Sequence, residues 1–118
     1  MLIVEDDPSL RELYEKVLKL EGYAVIVAED GVEALRRVEE QAVDAVVLDL
    51  MMPRLDGRSV KRGFDANGAM KNVPVILVTG NIAPDVDPDE FSCVLHKPIS
   101  IERLVKAVRD CLATHGYA

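Results

Sequence analysis

Acidic residues crowd the start of the chain, where the apolar run Leu2–Val4 gives way to Glu5, Asp6 and Asp7. Carboxylates this close repel one another, and each loses solvation where it is covered. Such a cluster requires open solvent or a cation. Further along, Asp49 closes the apolar run "AVVL", Thr79 closes "VILV" and Lys97 follows "SCVLH". Hard carboxylate oxygens around a partly hydrated pocket suit Mg2+, which keeps several waters and takes few protein ligands. A carboxylate, a metal, an ammonium and a hydroxyl are the parts needed for phosphoryl transfer onto an aspartate, in which positive charge neutralises the equatorial oxygens. The candidates are therefore Asp6, Asp7 and Asp49 as acids, Thr79 as hydroxyl and Lys97 as cation.

Short apolar runs alternating with amphipathic stretches must position these residues. Strands are expected at Leu2–Val4, Ala24–Ala28, Ala45–Leu48, Val75–Val78 and roughly Ser92–His96. The stretch "PSLRELYEKVLKLEGY" places Leu10, Leu13, Tyr14, Val17 and Leu18 on one helical face, with Pro8 suited to the first turn and Gly22 to the stop. Asp30 with Glu33 reads as the start of a second helix carrying Ala34, Leu35 and Val38 inward. A last helix runs from Ser100 with Ile101, Leu104, Val105, Val108 and Leu112 at helical spacing. Two crossovers are poorer: "RSVKRGFDANGAMKN" has Gly63 and Gly68 inside an expected third helix, and Pro84 and Pro88 predict a fourth helix that is short, displaced or absent.

Near-continuously apolar strands separated by crossovers imply an α/β doubly wound sheet: five parallel strands with helices on both faces. In such a sheet, function collects beyond the carboxyl ends of the strands. Asp6, Asp7, Asp49, Thr79 and Lys97 all fall there. Strand two offers only Glu29 and Asp30, off to one side.

The 118 residues are expected to form one domain, 1–118, with no repeat or linker. Aromatic residues are only 4% of the chain, so Val, Leu, Ile and Ala must build the core. The formal net charge of -7 disfavours nonspecific nucleic-acid or anionic-membrane binding. No signal peptide precedes Leu2, and no apolar stretch approaches the roughly twenty residues of a membrane span. A cytoplasmic location is expected. Cys93 and Cys111 lack metal-like spacing and read as buried free thiols in a reducing compartment.

The acids after strand one, "LDLMMPRLDG" around Asp49, Thr79, and "HKP" at Lys97–Pro98 resemble the receiver domain of two-component response regulators, over nearly the whole chain and in order. The resemblance implies strand order 2-1-3-4-5 and a phosphoacceptor role for Asp49, supplied from a phosphohistidine of a sensor histidine kinase or histidine phosphotransfer protein. It implies Mg2+ held by Asp7 directly, Asp6 through water, Asp49, and the backbone carbonyl of Met51. Thr79 would hydrogen-bond the transferred phosphoryl group and Lys97 would pair with it, with a cis Lys97–Pro98 bond and Gly57 in the turn before helix three. It further implies a downstream effector protein or domain, and slow autodephosphorylation as the only intrinsic catalysis. Homodimerisation, and an origin in a hybrid kinase or multidomain regulator, stay open.

The pattern departs from the family at Val94, where many members carry Tyr or Phe that turns inward with the hydroxyl. Valine has no large ring to relocate. Pro84 and Pro88 fall in the region through which the family commonly signals, so a different output surface or an ordering loop is expected. Met51 and Asn81 flank the path of hydrolytic water. Asp7 before Pro8 also reads as a helix N-cap, Asp56 beside Gly57 as turn chemistry, and His96 as facing away from the pocket. The alternative function is a docking module that keeps the site without being phosphorylated. A metal-dependent aspartyl phosphatase is disfavoured, because Met51 stands where those enzymes need a second acid. Neither a P-loop nor a dinucleotide fingerprint is present.

Overall fold

A computed structural model describes residues 1–49, 57–80 and 91–114. Its elements in chain order are β1 (Leu2–Val4), α1 (Pro8–Leu20), β2 (Ile26–Ala28), α2 (Gly31–Glu40), β3 (Val46–Asp49), α3 (Gly57–Asp65), a 3-10 turn at Gly68–Met70, β4 (Val75–Thr79), β5 (Cys93–His96) and α4 (Ile101–Thr114). The strands pair in parallel as one sheet in the order β2-β1-β3-β4-β5. The expected order is therefore observed. The region of the expected short, displaced or absent fourth helix, with Pro84 and Pro88, lies outside the described residues, as do Met51, Asp56 and Asn81.

Strand alternation sends successive side chains to opposite faces, and each face feeds its own apolar layer. Leu2, Val4, Val46, Leu48, Val75 and Leu77 pack with Ala34, Val38, Val60 and Phe64 of α2 and α3. Ile3, Val47, Ile76, Val78 and Leu95 pack with Tyr14 and Leu18 of α1 and with Leu104, Val108 and Leu112 of α4. Both faces being covered explains why the strands read as apolar runs rather than alternating ones.

Local signals set the helix ends. The Asp7 carboxylate accepts from the backbone amides of Ser9 and Leu10 at 2.9 and 3.3 Å, capping α1 with Pro8 at its first position. Asp30 accepts from Glu33 N at 2.8 Å and starts α2. Gly22 sits just past α1 at φ +99, a left-handed conformation that side chains rarely adopt.

Several boundaries differ from the sequence expectation, β3 among them at its start, Val46 rather than Ala45. β2 begins at Ile26 rather than Ala24, because its ladder starts where Ile26 meets Leu2. β3 and β4 each run one residue further, so Asp49 and Thr79 are ladder residues, opposite Val78 and His96. Gly63 lies inside α3, but Gly68 falls beyond its end. A Cβ on Gly63 would come within 2.5 Å of a Leu35 methyl, so the glycine lets α2 and α3 approach closely. That packing offsets its weak helix propensity.

Candidate functional site

Three strand ends meet at one edge of the sheet. β1 runs out at Val4 and delivers Glu5, β3 ends at Asp49, and β5 is followed by Lys97. Glu5, Asp49 and Lys97 continue the alternation of Ile3, Val47 and Leu95, and so project on the α1 and α4 side of the sheet. The ammonium of Lys97 donates to Glu5 Oε1 at 3.1 Å and to Asp49 Oδ2 at 3.3 Å. Glu5 and Asp49 are almost fully covered, at 2% and 5% exposure. A carboxylate oxygen from each of Glu5, Asp6 and Asp49 lies within 4.8 Å of the others.

Thr79 stands on the strand next to β3, one step beyond the residue that pairs with Asp49. It is buried, and its carbonyl accepts from Lys97 N at 2.7 Å, which fixes the start of the lysine loop. The Lys97–Pro98 bond is cis. Gly80 keeps the approach open: the nearest heavy atom to a Cβ placed there is Lys97 Cδ, at 4.0 Å.

The structure thus gathers Asp6, Asp49 and Lys97 with Thr79 beside them, but it does not bring Asp7 in. The Asp7 carboxylate is spent on the α1 cap, and the residue is exposed. The third carboxylate of the cluster is that of Glu5, which the sequence reading passed over as a candidate ligand. The signal for Glu5 was available: it lies two residues past buried Ile3 and so shares its face, whereas Asp7 directly precedes a helix-starting proline. Met51, expected to offer its carbonyl, lies outside the described residues. His96 is exposed, consistent with a side chain directed away from the cluster.

Burial dominates the electrostatics. It pushes the Glu5 carboxyl up to about 7, helped by the nearby charge of Asp49 and opposed by the hydrogen bond from Asp7 N, 3.2 Å from Oε2. For Lys97, burial acts to lower the pKa, but the carboxylates of Asp49 and Glu5 outweigh it and the net shift is upward. The ammonium is therefore firmly charged, while one of its two buried partners holds a proton readily near neutrality. A divalent cation fits this donor set, since hard oxygens converge here with more negative charge than one ammonium offsets.

The family model of the response regulator receiver domain matches residues 1–109. The chain belongs to that family. Curated relatives include the response regulator MprA of Mycobacterium sp. (strain KMS), 37% identical over 119 residues, covering 95% of this chain and 50% of the relative. The MprA of Mycobacterium leprae (strain TN) matches with the same identity and coverage. The chain spans about half the length of these curated relatives.

Solved receiver folds superpose closely. Chemotaxis protein CheY4 of Vibrio cholerae has a TM-score of 0.87 at 28% identity, covering 94% of this chain and 96% of its own. The receiver domain of sensor histidine kinase PA1611 from Pseudomonas aeruginosa has a TM-score of 0.82 at 30% identity, covering 95% of each chain, and holds a magnesium ion in its active site cleft. In this receiver domain the acidic cluster occupies the carboxyl edge of the sheet, at the end where β1 and β3 terminate. Among the described residues, no helix is long and apolar enough to cross a membrane.

Proposed function

We propose that this receiver domain is a phosphorylatable switch: Asp49 accepts a phosphoryl group from a phosphohistidine of a sensor histidine kinase or histidine phosphotransfer protein. The observation that carries the reading is the Lys97 ammonium poised on Asp49 Oδ2 beside the Glu5–Asp6–Asp49 carboxylates. Magnesium in the cleft of the PA1611 receiver domain supports the same use of the cluster here.

Glu5, Asp6 and Asp49 would hold Mg2+, with the carbonyl of Met51 expected from the family resemblance. The ion, when bound, supplies positive charge against the phosphoryl oxygens. An Asp49 carboxylate oxygen attacks phosphorus, the phosphorus–nitrogen bond to histidine breaks, and the imidazole departs with the bonding pair. Lys97 then exchanges its bond to Asp49 Oδ2 for one to a phosphoryl oxygen. The Thr79 hydroxyl, on the adjacent strand, donates to another. Because Asp49 is a ladder residue, the acceptor is held by the sheet rather than by a loop, which limits the reorganisation needed before transfer.

The resulting acyl phosphate shifts the domain toward a second state that a downstream effector protein or domain reads. Domain 1–118 acts as one cytoplasmic receiver unit, and its only catalysis is its own phosphorylation and slow dephosphorylation.

Intact mass after incubation with acetyl phosphate tests the reading, with and without Mg2+, on wild type and Asp49→Asn. A Mg2+-dependent gain of one phosphoryl group that disappears in the variant is expected. No gain, repeated with a phosphohistidine protein as donor, would make phosphorylation-independent docking the function.

A further inference from the structure

Arg11, half-buried at the end of the first turn of α1, bonds to the chain on both sides of Asp6. Its backbone N–H donates to the Asp7 carbonyl at 2.9 Å, the ordinary opening bond of a helix. Its guanidinium Nη1 donates to the Glu5 carbonyl at 3.1 Å, six residues back and outside the helix. The last ladder pair of β1 with β2 is Val4–Ala28. The Glu5 carbonyl therefore lies past the strand pairing, and a side chain supplies its donor.

An arginine this close in the chain to three acids would ordinarily pair with a carboxylate, because the charge-assisted bond is the stronger one. Among the described residues Arg11 pairs with none and spends its guanidinium on backbone. Both neighbours of Asp6 are firmly held. Glu5 N donates to Ala28 O at 3.1 Å, Glu5 Oε1 accepts from Lys97 and Oε2 from Asp7 N, and the Asp7 carboxylate caps α1. Asp6 is the exposed member of the Glu5–Asp6–Asp49 group. Where its carboxylate stands depends on the peptide that joins it to Glu5, and the oxygen of that peptide is the one Arg11 holds.

We propose that Arg11 is a positioning residue of the Mg2+ cradle, its guanidinium fixing the Glu5–Asp6 peptide so that the Asp6 carboxylate is presented alongside those of Glu5 and Asp49. This rests on the reading of that cluster as the Mg2+ site. Held in this way, Asp6 meets the ion already in place, and less conformational freedom is lost on binding. Released, the peptide rotates and the exposed carboxylate spreads over several positions. The effect runs against simple electrostatics. A guanidinium near a cation site repels the ion, so an arginine acting by charge alone weakens Mg2+, whereas one acting through position strengthens it.

Arg11→Met keeps an apolar stem and removes the donors. Calorimetric titration with MgCl2 is expected to show affinity weakened by about threefold to tenfold, the scale of one hydrogen bond, with the thermal midpoint little changed. In an Asp6→Asn background the same substitution should add nothing, because the arginine acts through Asp6. Amide hydrogen exchange of the metal-free protein supplies a second measurement. The Asp7 amide, bonded to Glu5 Oε2, should exchange faster in Arg11→Met while the β3 amides keep their rates; a merely structural role would loosen both or neither. Phosphorylation by acetyl phosphate should need more Mg2+ for half its maximal rate, with the rate at saturating Mg2+ near that of wild type. A wild type that binds Mg2+, with unchanged or tighter binding in Arg11→Met, overturns the Arg11 assignment alone. A wild type that binds no Mg2+ overturns the reading of the cluster, and the assignment with it.

Discussion

Glu5 and Lys97 pair across the sheet, Oε1 to Nζ at 3.1 Å, although 92 positions separate them in the chain. The pair shares its ammonium with Asp49, so two buried acids compete for one cation. The competition makes the site responsive to protons.

Glu5 sets the first prediction. Its folded pKa of about 7 lies above the ordinary 4.5, so the folded state binds this proton more tightly than the unfolded one. Its stabilising contribution is complete below about pH 4.5 and is lost as pH rises to about 7. Metal-free protein should lose up to about 3 kcal/mol across that window. Glu5→Gln should flatten the loss, and Mg2+ should reverse it in the wild type at pH 8. Urea melts at pH 5 and 8, with and without Mg2+, read all three effects.

Lys97→Met leaves Glu5 and Asp49 buried beside each other without their ammonium. Removing one partner of a covered ion pair destabilises by about 3 kcal/mol. The upward shift of Lys97 keeps the wild-type residue charged through neutrality, so the deficit in the variant belongs to the carboxylates. It should be largest at pH 8 and shrink toward pH 5 as Glu5 takes up its proton. The same melts supply the measurement. A deficit independent of pH would show that lost packing of the lysine stem, not charge, is responsible.

Asp6 and Asp7 are neighbours with different work. Asp7→Ala removes the α1 cap and should destabilise by about 1 kcal/mol, leaving Mg2+ affinity within about twofold. Asp6→Asn should change stability by less than about 0.5 kcal/mol while weakening Mg2+ at least about tenfold, since it removes a carboxylate of the cradle. Calorimetric Mg2+ titration of both variants separates them. Reversed roles would restore the expectation drawn from the family resemblance, in which Asp7 is the direct ligand.

That exchange marks where sequence reasoning succeeds and where it slips. Strands buried on both faces leave long apolar runs, so the sheet and the residues at its carboxyl edge were legible, whereas the strand order came from the family resemblance. Which acid of "EDD" turns inward depends on one residue of register, because alternation reverses every side chain at each step. The clues that Glu5 follows Ile3 in phase and that Asp7 precedes Pro8 were both present in the chain. Gly63 was misleading for another reason: its propensity penalty is local, whereas the close contact of α3 with Leu35 that outweighs it is tertiary.

Cys93 and Cys111 line one surface pocket between β5 and α4, a place where thiol chemistry would couple the edge strand to the last helix. The electrostatics argue for inert thiols. Burial pushes both pKa values up, and Asp110 adds to the effect at Cys93 as Cys93 does at Cys111. The nucleophile is the thiolate, which is correspondingly scarce near neutrality. Reaction of native protein with an aromatic disulfide reagent at pH 7 should therefore run about tenfold or more slower than for the unfolded chain, with half-buried Cys93 reacting before buried Cys111. The rate should climb steadily as pH rises toward 9. A fast, pH-independent first thiol at pH 7 would contradict the assignment and make the pair a redox-active dithiol.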